Sequence, residues 1–353
     1  MKLFSFRTWF SEKSLARDMT FYNGTHYFGP TVILISLDGF RQDYLQRGIT
    51  PNLIEFANQG VQAEYLTPSF PSITFPNHWT LVTGLYPEAH GIVGNEFYDP
   101  ALDERFIHKK VEISSQTKWW KGEPVISPCT LPGATWTHAL ALIGIVDMAN
   151  CHQARKKVSC RDVAWFLGDL HGMADSNKMQ GIYYDEILSP ESLSYMMERE
   201  AWPLLNIRPK RDASPHALQQ MYDELLQYQQ QHPDTAHYRV FLRKNVPEAY
   251  HYSNNDRIAP IVMVLDVGYA IVEKGGYFPK GIHGYDNPAE EMRAIFMARG
   301  PRIDRLLGRG SMLNPFQSTE VYHFVADILN LTPAPSNCTL CSHCVSRQPD
   351  PVI

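Results

Sequence analysis

Several things are scarce in this 353-residue sequence, and each scarcity removes a class of function. No apolar run approaches the length needed to span a bilayer, and the short aromatic stretch within residues 1–10 is broken by Lys2 and Arg7. We therefore expect neither a membrane span nor a targeting segment. Basic charge is not in excess, the net charge being −5. That argues against tracking a nucleic-acid polymer, which relies on neutralising many phosphates, but leaves single nucleotides open as ligands. No internal repeat is present, and between 127 and 165 the apolar residues follow a period of neither 2 nor 3.6. Cysteine is sparse, with six residues at 129, 151, 160, 338, 341 and 344. Cys338-x-x-Cys341-x-x-Cys344, with His343 between, has knuckle-like spacing but no second ligand pair, so it reads as a loose tail of reactive or incidental thiols.

What remains is a globular composition, 44% hydrophobic and 20% charged. Residues 31–37, Thr-Val-Ile-Leu-Ile-Ser-Leu, form an unbroken apolar and β-branched run, as expected of a parallel strand covered on both faces. A helix follows from Pro51, with Thr50 as N-cap and Gly60 as stop. Strand then helix at this spacing predicts an α/β architecture. Further helices are expected at 78–83 (ended by Gly84), 191–205, 214–231 and 318–329, and further strands at 261–265 and 292–298. Residues 1–29 read as a leader or arm, 30–335 as one main domain and 336–353 as a tail.

Two residues stand out chemically. Asp38 follows the first strand directly, and ligands of parallel α/β sheets bind beyond the carboxyl ends of strands. It either coordinates a cation or caps a turn. Thr74, in Ser72-Ile73-Thr74-Phe75-Pro76-Asn77-His78, sits at a helix start. It is either a cap or a hydroxyl whose acidity the helix dipole raises toward nucleophilic use. Two His-Gly pairs, His171-Gly172 and His283-Gly284, suit tight turns that deliver an imidazole to a metal. Asn95 reads equally as a phosphate-binding amide or an Asx-turn residue after Gly94.

Leu37-Asp38-Gly39-Phe40-Arg41, Pro71-Ser72-Ile73-Thr74-Phe75-Pro76-Asn77-His78, Thr83-Gly84-Leu85-Tyr86-Pro87-Glu88-Ala89-His90-Gly91-Ile92 and His283-Gly284-Tyr285-Asp286-Asn287 together resemble the nucleotide pyrophosphatase/phosphodiesterase family of the alkaline phosphatase superfamily. The resemblance implies an alkaline-phosphatase-like α/β fold, with a central, mostly parallel sheet flanked by helices. It also implies two zinc ions hydrolysing phosphodiester or pyrophosphate bonds of a nucleotide or other small phosphodiester. Asp38 and Thr74 match ligands of one zinc, and Thr74 the nucleophile of a covalent nucleotidyl intermediate. Asn95 matches the amide on the phosphoryl oxygen, Phe75 the aromatic beside the base, His283 a ligand of the other zinc, and His171 the histidine of a Ser-Asp-His-Gly-Met motif. The resemblance further implies a secretory, membrane-associated or extracellular location, in keeping with glycosylation sequons at Asn23, Asn330 and Asn337.

The chain departs from that pattern in one interval. It reads Gly168-Asp169-Leu170-His171, with Asp169 one position early and Leu170 in the ligand slot, and the family's upstream Asp-x-x-x-His is missing between 127 and 170. Residues 166–170 read as part of a helix. The expectation is an incomplete core and a second metal site left with His283 alone. The alternative function is then an inactive relative, acting if at all as a binding protein, or a misassembled gene product.

Overall fold

The run Thr31–Leu37 (β1) alternates between two environments, and that alternation sets the architecture. Val32 and Leu34 are buried in one apolar cluster, whereas Ile35 and Leu37 belong to another on the opposite face of the sheet. In the computed structural model, which describes residues 21–22, 27–28, 31–125, 140–143, 163–169, 171–175, 180–197, 199–277, 281–329 and 331–339, β1 lies inside a six-stranded sheet. Its other members are Val61–Ala63 (β2), Leu140–Ile143 (β3), Val163–Asp169 (β4), Phe296–Arg299 (β5) and Met312–Leu313 (β6), in the order β6-β2-β5-β4-β1-β3. Only β5 runs against the rest, so the expected mostly parallel sheet is present.

Both faces are covered, which is what an apolar run without polar alternation requires. The helices Thr74–Thr83 (α2) and Val321–Leu329 (α3) pack on one face through Leu81, Val82, Phe324 and Val325. The helix Pro51–Asn58 (α1) covers the other through Ala57, with Phe40 beside it. The segment entering β5 obeys the same period of two: Ala294, Phe296 and Ala298 join the first cluster, Ile295 and Met297 the second. Gly60, read as a helix stop, also answers to β5, since a Cβ there would lie 2.2 Å from the Ala298 carbonyl oxygen.

A second layer is built around the strand Ile261–Leu265, flanked antiparallel by Tyr238–Leu242 and Asn206–Ile207. The helix Ala217–Gln231 packs on it through Met221 and Leu225. On its other side, Val262 and Val264 meet an aromatic cluster of Phe70, Phe97, Phe106 and Trp119.

Four expectations are corrected. Residues 163–169 form a strand, not a helix: the short run Val163-Ala164-Trp165-Phe166-Leu167 suits either, and seven register pairs with β1 decide it. With β3 also in place, the core strands thought lost are present at 140–143 and 163–169, while 126–139, 144–162 and Leu170 lie outside the described residues. The helix expected over 191–205 stops at Tyr195, because Pro203 and the return strand Asn206–Ile207 claim the rest. Thr50 makes no side-chain cap; its backbone oxygen accepts from Leu53 and Ile54 instead.

Two termini also differ from the reading as arm and tail. Phe21–Tyr22 pairs antiparallel with Tyr27–Phe28. Residues 336–339 dock on the body. Asn337 donates its backbone N–H to Gly84 O (2.8 Å) while its side-chain oxygen accepts from Tyr86 N (2.9 Å), and Thr339 donates to Glu320. The Cys338 thiol donates to Thr319 O (3.0 Å), and burial pushes its pKa up to about 11, so it is not a reactive thiol. Cys341, His343, Cys344 and the other cysteines, like the Asn23 and Asn330 sequons, lie outside the described residues.

Candidate active site

Asp38 is the first residue beyond β1, and Gly39 turns the chain there at φ +75°, a conformation that disfavours a side chain. Thr74 opens α2 after Ile73 in extended conformation, so its hydroxyl stands at the helix N-terminus. The hydroxyl donates to Asp38, with Oγ1 3.3 and 3.4 Å from the two carboxylate oxygens, and lies 3.4 Å from His171 Nε2. His171 Nε2 in turn lies 3.2 Å from Asp38 Oδ1. The strongest sequence candidates, 36 positions apart, thus form one tight group with a fully buried imidazole.

Side chains around this group hold it in place. Asn77, fully buried, accepts from Ser69 N (2.8 Å) and donates to Ser69 O, Pro71 O and Ile73 O at 3.2, 2.9 and 3.0 Å. It therefore fixes the loop that delivers Thr74. His171 follows β4, and its Gly172 passes so close to the neighbouring chain that a Cβ would meet Glu291 O at 1.9 Å. That close passage, beside the bond from Gly172 N to Met292 O (3.0 Å), is why glycine follows this histidine. His283 stacks on His171 with ring centroids 4.0 Å apart and donates Nδ1–H to Ser72 O at 3.2 Å.

His171 Nδ1 bonds Gly172 O (2.9 Å) and so carries the hydrogen, which leaves a lone pair on Nε2 facing the carboxylate of Asp38. Two acceptors at that distance need a cation between them, a proton or a metal ion. Burial pushes Asp38 up, but a proton on the facing His171 nitrogen, through its hydrogen bond and its charge, outweighs this and holds the carboxyl well below the usual range. Burial and neighbouring His171 push His283 down to about 3, so it is neutral and able to ligate at pH 7.

Asn95 and Phe75 meet at the edge of this group. The Asn95 side-chain oxygen accepts from Phe75 N (3.0 Å), which leaves the amide NH₂ to donate elsewhere. The Phe75 ring is half-buried against Phe106, Trp120 and His108. Asp169 ends β4 opposite Leu37, one residue before Asp38, and its carboxylate lies outside the described part.

Sequence reasoning passed over His78, although Pro76-Asn77-His78 stood within the quoted motif. His78 donates Nδ1–H to Thr74 O (3.0 Å), its Nε2 is buried without a hydrogen-bond partner, and burial pushes it down to about 4. His108 was passed over too, yet it contacts both Asn95 and Phe75.

Comparison with known proteins bears on this geometry. The family model described as type I phosphodiesterase / nucleotide pyrophosphatase matches residues 32–143 and 166–286. The chain belongs to this family. It is 34% identical to an uncharacterized pyrophosphatase/phosphodiesterase of Schizosaccharomyces pombe, over 91% of the chain and 81% of that protein. It is 28% identical to the Bis(5'-adenosyl)-triphosphatase enpp4 of Xenopus laevis, over 88% of the chain and 80% of that protein. Among solved structures it resembles murine ectonucleotide pyrophosphatase/phosphodiesterase 5, with a TM-score of 0.72 at 25% identity, covering 89% of this chain and all of that one. These relatives are named as hydrolases, and the alkaline-phosphatase-like fold is shared. The match omits 144–165, inside the interval where the motifs depart. The alignment with the fission-yeast relative spans 400 positions, more than the chain contains, so that protein carries segments this one lacks.

Among the described residues no helix is long and apolar enough to cross a membrane, and no group of three or more His, Cys, Asp or Glu side chains is arranged around a metal position. Counting the Thr74 hydroxyl, however, Asp38, Thr74 and His171 bring two oxygen donors and one nitrogen donor together.

Proposed function

We propose that this protein hydrolyses phosphodiester or pyrophosphate bonds in nucleotides, with Thr74 as nucleophile and Asp38, Thr74 and His171 as the protein ligands of one zinc ion. The carrying observation is the convergence of the Thr74 hydroxyl on Asp38 and His171 at the start of α2. Bound zinc would supply Lewis acidity, lowering the pKa of the Thr74 hydroxyl and offsetting charge on phosphoryl oxygens.

The chain's own residues account for the rest. Asn77 and the extended Ile73 hold Thr74 so that Oγ1 can attack phosphorus. A P–O bond forms to Thr74, the bond to the leaving group breaks, and the nucleotidyl-threonine is released by water. The free NH₂ of Asn95 holds a non-bridging oxygen while Phe75 packs against the base. Asp38, kept ionised, fixes His171 in place. A structure of murine family member 5, described as an inactive threonine-to-alanine variant in complex with AMP, supports both the nucleotide class and the importance of a threonine. The "ecto" prefix of several relatives supports a secretory or extracellular location for this chain.

The test is turnover of the nitrophenyl ester of thymidine monophosphate. Thr74→Ala should abolish it while AMP still binds; undiminished turnover would remove Thr74 from the mechanism. A second reading, an inactive nucleotide binder, is favoured by the absence, among the described residues, of any group of three or more His, Cys, Asp or Glu side chains around a metal position. Elemental analysis separates the two, since zinc with turnover supports the enzyme, and nucleotide binding without either supports the binder.

A further inference from the structure

Phe75 is walled on one side by His108, whose ring centroid lies 5.1 Å away at an interplanar angle of 61°. The backbone oxygen of Asn95 receives two bonds from His108, one from its N–H and one from ring Nδ1, both 3.0 Å. A carbonyl only accepts, so Nδ1 carries the hydrogen and Nε2 carries a lone pair. The two nitrogens lie on different edges of the ring, so fixing Nδ1 on the strand backbone turns Nε2 away from it. His108 is half-exposed, and no described group bonds Nε2. Burial pushes the imidazole below its ordinary pKa, keeping the acceptor uncharged at neutral pH.

Resting on the nucleotide reading above, we propose that His108 is a specificity-determining residue that reads the edge of the base stacked on Phe75. Its Nε2 accepts a hydrogen bond from an exocyclic amine, as on adenine, and meets a second acceptor on bases that carry a carbonyl there, as hypoxanthine does. The other neighbours of Phe75, namely Phe106 and Trp120, offer apolar surface. Selection among bases therefore falls to the one heteroatom in the wall that is fixed as an acceptor. A site that leaves a buried acceptor facing an acceptor discriminates more sharply than one differing only in shape.

Calorimetric titration with AMP and with IMP tests this without requiring turnover. The unaltered protein should bind AMP about tenfold more tightly than IMP, the worth of one good hydrogen bond. His108→Leu, which keeps bulk and removes the acceptor, should bring the two affinities together by weakening AMP. Equal affinities in the unaltered protein, or a preference that survives His108→Leu, would overturn the assignment. Failure to bind either nucleotide, with bis(4-nitrophenyl) phosphate still hydrolysed, would remove the nucleotide reading itself and this inference with it.

Discussion

The Nε2 atom of His171 faces the Oδ1 atom of Asp38 at 3.2 Å, and with Nδ1 committed to Gly172 both are acceptors. Such a pair is stable only with a positive charge between its members, so Asp38 governs what the site holds. Asp38→Asn keeps the shape and removes the charge. The expected outcome is loss of bound zinc and a fall in kcat/KM of at least about 100-fold, since removing even an outer partner of a ligand costs 10–100-fold. Metal analysis of the dialysed variant, beside its thermal midpoint, checks this; retained zinc with retained turnover contradicts it.

Asn77 ties the loop before Thr74 by four hydrogen bonds. Asn77→Ala leaves buried groups of Ser69 and Pro71 unpaired and should cost about 2–4 kcal/mol, summed from losses of about 1 kcal/mol or more each. It should also lower kcat more than it raises KM, because the displaced atom is the nucleophile and not the base platform. Urea unfolding and steady-state kinetics on the same preparation separate the two effects.

A Cβ at position 172 would overlap the Glu291 carbonyl, a backbone group that no rotamer change can move. Gly172→Ala is therefore expected to destabilise by about 1–3 kcal/mol, the usual range for overpacking, and to shift His171 from Asp38. Ala at position 268, where nothing lies within 4 Å but φ is +91°, isolates conformational strain from collision. A negligible loss at position 172 would show that collision is unimportant.

His90 is fully buried between Thr80 Oγ1 (3.2 Å) and Ile92 N (3.1 Å), and burial pushes it down to about 3. Folded, it stays neutral; unfolded, it binds a proton below about pH 6.5. The unfolded state therefore gains protons first, and this residue lowers stability as pH falls from about 6.5 toward 3, with no effect above. At pH 5.5 the expected penalty is about 1.4 kcal/mol. Denaturation at pH 7 and 5.5 should show a smaller difference for His90→Gln than for the unaltered protein; identical differences contradict the assignment.

The site was legible where function imposes local rules. Asp38 needed only an apolar strand before it, and Thr74 only helix-start chemistry after it. Their meeting in space was legible only through the family resemblance, because no local signal joins residues 36 positions apart. The strand at 163–169 was misread for the same reason: its composition suits two structures, and the deciding bonds come from β1, more than a hundred residues earlier. His108 escaped notice since nothing local distinguishes it from other histidines; its meaning comes from Asn95 across a hairpin.

Residues near the end of this sequence were dismissed as a tail on composition, yet Asn337 holds Gly84 and Tyr86 just past the last turn of α2. The helix that carries the nucleophile is thus bracketed at both ends, by Asn77 near one and by a segment over 250 positions away at the other. The segment that carries Asn337 therefore bears on the far end of the helix that presents Thr74. Small insertions there would act on the reaction centre as levers, without touching any group that meets substrate.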